Sequence, residues 1–175
     1  MKVHDAELLV RYCADIPARL AGIRRECAML DDEVDTLRGM NMDGMPRGGA
    51  PGDSTGMMAC KMDELGIGDR LRELERQKVE LQADAKLIQG QIDSLSSMHS
   101  QILVQFYFEH KKWNDVQLAV KYSIPHMKRL RNAALSVLGG KIDRLPEKDA
   151  LLSRAFNARK AAPRADAFAE GDILL

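Results

Sequence analysis

Small or apolar residues recur at alternating three- and four-residue steps through the first forty positions of the chain. Ala6, Leu9, Cys13, Ile16, Leu20, Ile23, Cys27, Leu30, Val34 and Leu37 fill every seam position. This is the a/d stripe of a coiled coil, kept for about five heptads. One residue objects: Pro17 lacks a backbone donor and crowds the carbonyl of Cys13, so a kink or a break is expected there. Residues 39–56 (GMNMDGMPRGGAPGDSTG) form a loop rich in Gly and Pro, after which Asp53 or Ser54 offers an N-cap. From Met57 to about Met98 the period returns. One seam reads Cys60, Ile67, Leu74, Leu81, Ile88, Leu95, and the other Met57, Glu64, Leu71, Lys78, Ala85, Ile92. Two long amphipathic helices joined by one loop are expected to fold back as an antiparallel hairpin, each seam burying the other or that of a second copy. The three cysteines lie on seam positions and read as small core residues, not as reactive thiols.

Composition narrows the rest. Aromatics are 5% of the 175 residues and Trp113 is the single tryptophan, which argues against a large globular core. No apolar run approaches the ~18 residues of a membrane-spanning helix, and the opening MKVHDAELLV lacks a signal peptide's basic-then-apolar layout. The cysteines are too few and too dispersed for a disulfide framework or a zinc knuckle. A cytoplasmic protein is expected. Net charge is zero, but residues 1–99 carry 13 Lys/Arg against 18 Asp/Glu, whereas residues 100–144 carry 8 against 3. An acidic arm followed by a basic head suggests an anionic partner at the head.

Past residue 98 the long period stops. Residues 99–140 read as a compact set of three short helices, closed by Gly139 and Gly140 as a C-cap. The first runs over about Ser100–Glu109, with Ile102, Leu103, Phe106 and Tyr107 inward. The second opens at Trp113 or Asn114 and turns Val116, Ala119 and Val120 inward; Lys121-Tyr122 makes the turn. Ser123 then caps the third helix, with Pro125 tolerated in its first turn. On that helix Met127, Leu130, Ala134, Leu135 and Leu138 form the buried face, and His126, Lys128, Arg129, Arg131 and Asn132 the opposite one. A short helix with basic and amide side chains outward fits the DNA major groove, about 12 Å wide; a protein-binding head with a basic face stays open as an alternative. Residues 141–175 are expected to be a tail, helical over about 147–160 and otherwise disordered.

The stretch from Trp113 to Leu130, with Ala134-Leu135, resembles region 4 of bacterial sigma factors, and still more the RinA/ArpU-type phage transcriptional regulators with sigma-like heads. Trp113, Asp115, Val116, Val120, Tyr122, Ser123, His126, Met127, Arg129 and Leu130 fall on that pattern. The MPRGG segment (Met45–Gly49) resembles the family's loop before its second helix, so the likeness covers about residues 20–138. The sequence departs from the pattern at Gln117 (usually small), Lys121 (usually glycine), Ile124 and Pro125 (often polar base readers). The resemblance implies an all-α fold: the hairpin over 1–98, then a three-helix helix-turn-helix head. It also implies double-stranded DNA as partner, with RNA polymerase and a second copy of the chain left open. The expected DNA-binding residues are Lys111, Lys112, Ser123, His126, Lys128, Arg129, Arg131 and Asn132, with Arg129 as the guanine reader and Lys111, Lys112, Lys128 and Arg131 on phosphates.

Catalysis is not expected. Gly48, Gly49 and Gly52 lack the Gly-Lys-Ser/Thr of a phosphate loop. The histidines at 4, 99, 110 and 126 have no ligand spacing, so no metal or cofactor is foreseen. A small terminase subunit or a coiled-coil assembly adaptor are the alternatives to a regulator.

Overall fold

The computed structural model of the protein describes residues 1–39 and 65–161. Those residues form six α-helices and no strand: α1 (Val3–Gly39), α2 (Ile67–Asp93), α3 (Ser97–Leu103), α4 (Trp113–Val120), α5 (Ile124–Ile142) and α6 (Lys148–Ala161). A π-helical turn, Val104–Phe108, continues directly from α3. Gly39, where the loop is expected to start, still belongs to α1; the rest of that loop (40–56) with its MPRGG segment, the caps Asp53 and Ser54, the helix start at Met57 and the end of the tail lie outside the described residues. No helix among the described residues is long and apolar enough to cross a membrane.

Pro17 does not break α1, which runs uninterrupted for 37 residues. An internal proline costs a helix about 3 kcal/mol or more. Burial of Cys13 and Ile16 before it and Ile23 after it offsets that cost, while the proline itself points to solvent. The chain nevertheless divides there. One compact unit comprises Met1–Ile16 with Asp84–Leu175, and the other Pro17–Ala83.

In the second unit the seam stripe is the covered face: Ile23, Val34, Ile67 and Leu74 are buried, and Leu20, Cys27, Leu30, Leu71 and Leu81 are half-buried. Arg70 donates to Glu26 at 2.6 Å. On the outer face Arg76 bridges Glu73 and Glu80, each at 2.7 Å, and its hydrogen bond holds the Glu73 carboxyl down at about 2. Exposed pairs of this kind contribute little to stability.

In the first unit, the opening turns of α1 supply Ala6, Leu9, Val10, Cys13 and Ile16 to a core completed by apolar residues from every later helix. One charged side chain lies inside it. Asp84 on α2 is 3% exposed. It accepts a hydrogen bond from the Tyr12 hydroxyl at 2.9 Å, and Arg154 of α6 clamps both its oxygens at 2.8 and 2.6 Å. The expected helix at 147–160 is thus α6, fixed by this clamp and by buried Leu151 and Ala155.

Three local expectations are corrected. Gly139 and Gly140 do not cap α5, which continues to Ile142 and stops at Asp143. Neither glycine has positive φ, and Gly139 is buried with its Cα face toward Ala6 and Met1. Continuing the helix buries Ile142, an apolar gain that a stop at the glycines would forfeit. Second, the helix expected at Ser100–Glu109 is α3 plus the π turn. Its i→i+5 bond from the Glu109 amide to the Val104 carbonyl is 3.0 Å, and Tyr107 within the turn is buried, as are Ile102 and Leu103 before it. Third, Ala119 is exposed. At about 100° per residue, Trp113, Val116, Gln117 and Val120 share one side of α4, which leaves Ala119 off it and Leu118 opposite, 80% exposed.

Two outcomes follow. Arg154→Met is expected to destabilise the protein by about 3 kcal/mol in urea unfolding, because it strands a buried carboxylate; a loss under ~1 kcal/mol means the clamp is not structural. Gly140→Ala meets nothing within 4 Å and is expected to stabilise by about 0.5–1 kcal/mol. If Gly140 were instead a left-handed cap, the same change would lower the melting temperature.

Candidate nucleic-acid interface

The basic segment is organised by α4, a three-residue connection and α5. Lys121 closes α4 in the left-handed region (φ 60°, ψ 26°), and its amide donates to the Gln117 carbonyl at 2.8 Å. The non-glycine in the turn thus adopts the conformation the usual glycine would, at a steric cost. Ser123 is the N-cap of α5 in extended conformation (φ −67°, ψ 148°), without a side-chain capping bond. Its carbonyl accepts from the Met127 amide at 3.0 Å. Pro125 sits in the first turn, where its missing N–H costs nothing.

Burial fixes which way α5 faces. Met127, Ala134, Leu135, Leu138 and Ile142 are buried, with Leu130 and Ile124 half-buried beside them. At ~100° per residue, Arg129 falls at the middle of the opposite side, flanked by Pro125, His126, Lys128, Asn132 and Ala133, all exposed. The His126 ring stands 4.9 Å from that of Tyr122 in a tilted contact. Lys112 is exposed and is the N-cap of α4. Lys111 is tied down by Glu109, at 2.6 Å.

Arg131 is placed differently from its neighbours. It is half-buried, and its guanidinium carbon lies 5.8 Å from the ring centres of both Phe106 and Trp113. Those two rings stack at 4.3 Å with planes 25° apart. Its Nε and Nη2 donate to the Asn132 side chain at 3.2 and 3.0 Å. Of the eight residues expected to touch DNA, His126, Lys128, Arg129 and Asn132 therefore share the open face of α5. Ser123 and Lys112 stand at helix starts, Lys111 is in an ion pair, and Arg131 is turned into the head.

The same unit holds a polar cluster with no local signal in the sequence, since its partners lie 100 residues apart. Tyr107 donates to Glu7 at 3.0 Å, Arg11 binds the same oxygen at 3.0 Å, and Arg11 also lies 5.7 Å from the Tyr107 ring centre. Burial pushes the Glu7 carboxyl upward, but hydrogen bonds from Arg11 and Tyr107, with the charges of Arg11 and Arg131, outweigh it and leave the group below its usual range. Burial, then the Glu7 charge, push the Tyr107 phenol well up, so it remains a donor. No group of three or more possible metal ligands occurs among the described residues.

The strain at Lys121 can be measured. Lys121→Gly is expected to raise stability by about 1 kcal/mol in thermal or denaturant unfolding, as relief of a left-handed non-glycine requires. A loss of similar size would mean that the lysine side chain supplies more than its backbone costs.

No protein-family model, curated protein or solved structure matched the chain.

Proposed function

We propose that the protein binds double-stranded DNA as a sequence-specific transcriptional regulator of phage or prophage type. In this reading α4, the Lys121–Ser123 turn and α5 are its helix-turn-helix, and RNA polymerase is a candidate further partner. The observation that carries the reading is the open face of α5, where His126, Lys128 and Asn132 surround Arg129 while the opposite face is buried. A helix supported from behind, with an arginine at the centre of its free face, suits bidentate contact with guanine in the major groove. The short connection and the left-handed Lys121 support it further, because they are what the sigma-like pattern needs at that turn.

We also read α1 and α2 as the antiparallel hairpin. In its support, each unit by itself holds α1 against α2: Tyr12 meets Asp84 within one, and Glu26 meets Arg70 within the other. The half-buried seam of the second unit also suits a small terminase subunit or an adaptor, both of which assemble through such hairpins. Light scattering separates these: a large ring favours packaging, a monomer or dimer regulation.

The DNA reading is tested by mobility shift on DNA fragments at several salt concentrations. Binding is expected to weaken steeply with salt. Arg129→Ala should lose about 1–3 kcal/mol of preference between sites. Lys128→Ala should weaken all sites alike and flatten the slope of log K against log salt by about 0.9. Absence of binding at low salt sinks the proposal.

A further inference from the structure

Arg131 carries the same charge as Arg129 and lies two residues away, yet it is built into the protein. Its guanidinium stands over the stacked pair Phe106–Trp113, 5.8 Å from each ring centre. Phe106 comes from the π turn and Trp113 from the first position of α4. One side chain of α5 thus touches both elements that precede it. Phe106 also meets Tyr107 edge-on at 5.0 Å, and Tyr107 is anchored to Glu7 of α1 at 3.0 Å. A chain of contacts runs from the opening turns of α1, through the aromatic rings, to α5. All of it lies within one compact unit.

We propose that Arg131 is a positioning residue and not a phosphate contact: it clamps α5 to the ring pair and so fixes the direction in which Arg129, Lys128 and Asn132 face. The guanidinium is suited to this because it is planar, weakly hydrated and able to lie over aromatic faces while its N–H groups bind elsewhere, here the Asn132 side chain. That second bond also orients Asn132 on the open face. An ammonium has the charge but neither the plane nor the fork. The π turn, which carries Phe106, belongs to the same device.

For its binding readout the inference rests on the DNA reading above; for its spectroscopic readout it does not. Trp113 is the only tryptophan in the chain, so its emission and near-ultraviolet circular dichroism report the clamp directly. The full-length protein is compared with Arg131→Lys, Arg131→Gln and Phe106→Leu, and helix content is measured for each. Arg131→Lys is expected to behave like Arg131→Gln. Both should change the Trp113 signal, and both should lower DNA affinity roughly tenfold with an unaltered salt slope. Phe106→Leu removes a ring and no charge; it should give the same binding loss, and adding Arg131→Gln to it should cost little more. If Arg131→Lys binds like the wild type while Arg131→Gln flattens the salt slope by about 0.9, Arg131 is an ordinary phosphate contact and the proposal is wrong. A wild-type protein that binds no DNA removes the functional reading alone. In that case an unchanged Trp113 signal in Arg131→Gln overturns the clamp, and a changed one upholds it.

Discussion

A carboxylate removed from water must be met by charge and by hydrogen bonds, and in this protein the requirement falls on Asp84. With 3% of its surface exposed, it brings α1, α2 and α6 to one point through Tyr12 and a two-pronged contact with Arg154. Such a pair adds little net stability over a well-packed apolar substitute. What it adds is a penalty on alternatives: another register of α2 against α1 parts Asp84 from Tyr12, and undocking of α6 takes away Arg154. The two helices of a seam that repeats every seven residues could otherwise slide by a heptad at modest cost. The neighbouring Cys13 feels the same environment. Burial and, secondarily, the Asp84 charge push its thiol up to about 11. It is held protonated, as a small core residue would be, and its sulfur donates weakly toward the Ala85 carbonyl at 3.9 Å.

On that frame α5 is held in two ways. Its apolar stripe is buried against the core, which fixes rotation about its own axis. On the same side the Arg131 guanidinium lies over Phe106 and Trp113 and ties α5 to the π turn and to α4. Two left-handed non-glycine residues, His110 (φ 50°) and Lys121 (φ 60°), bracket α4 on either side. Each costs of order 1 kcal/mol. The buried Val116 and the stacked Trp113 hold α4 in place between them.

The sequence made the helices legible because burial leaves a period. Every described position of the first stripe, from Ala6 to Val34, is buried or half-buried, and Ser123, Pro125 and the Lys121 turn stand where turn chemistry puts them. What stayed hidden concerns partners. Asp84 lies three residues past Leu81 and four before Ile88, on the buried stripe itself, so its position signalled burial; its type suggested solvent. Nothing local names Tyr12 or Arg154, which are 72 and 70 residues away. Arg131 repeats the case: at ~100° per residue it falls inside the stripe of Met127, Leu135 and Leu138, so its position signals burial while its type suggests surface. Of the ring pair that receives it, Phe106 comes from a π turn that no 3.6-residue period predicts. Gly139 and Gly140 read as a stop because glycine often ends helices; that Ile142 is an apolar side chain worth burying is the weaker signal, and it prevails.

The same geometry changes what the proposed reading head can recognise. In the resembled pattern the first turn of the third helix often carries polar base readers, and here it carries Ile124 and Pro125. Ile124 is half-buried, so it serves the junction between helices; Pro125 is exposed but offers neither donor nor charge. The groups able to read base edges therefore begin at His126 and continue through Arg129 to Asn132, which stand three residues apart. Each step is close to one helical turn, about 4.5 Å along the axis at 1.5 Å per residue, against a base-pair rise of 3.4 Å. Recognition through such a surface uses few bases, with a single arginine able to make the bidentate contact that discriminates most strongly. The head's excess charge, by contrast, is spread over lysines outside that line. In the proposed reading, affinity from phosphates draws in part on Lys111, Lys112 and Lys121, which lie off α5, whereas selectivity from Arg129 depends wholly on how α5 is held.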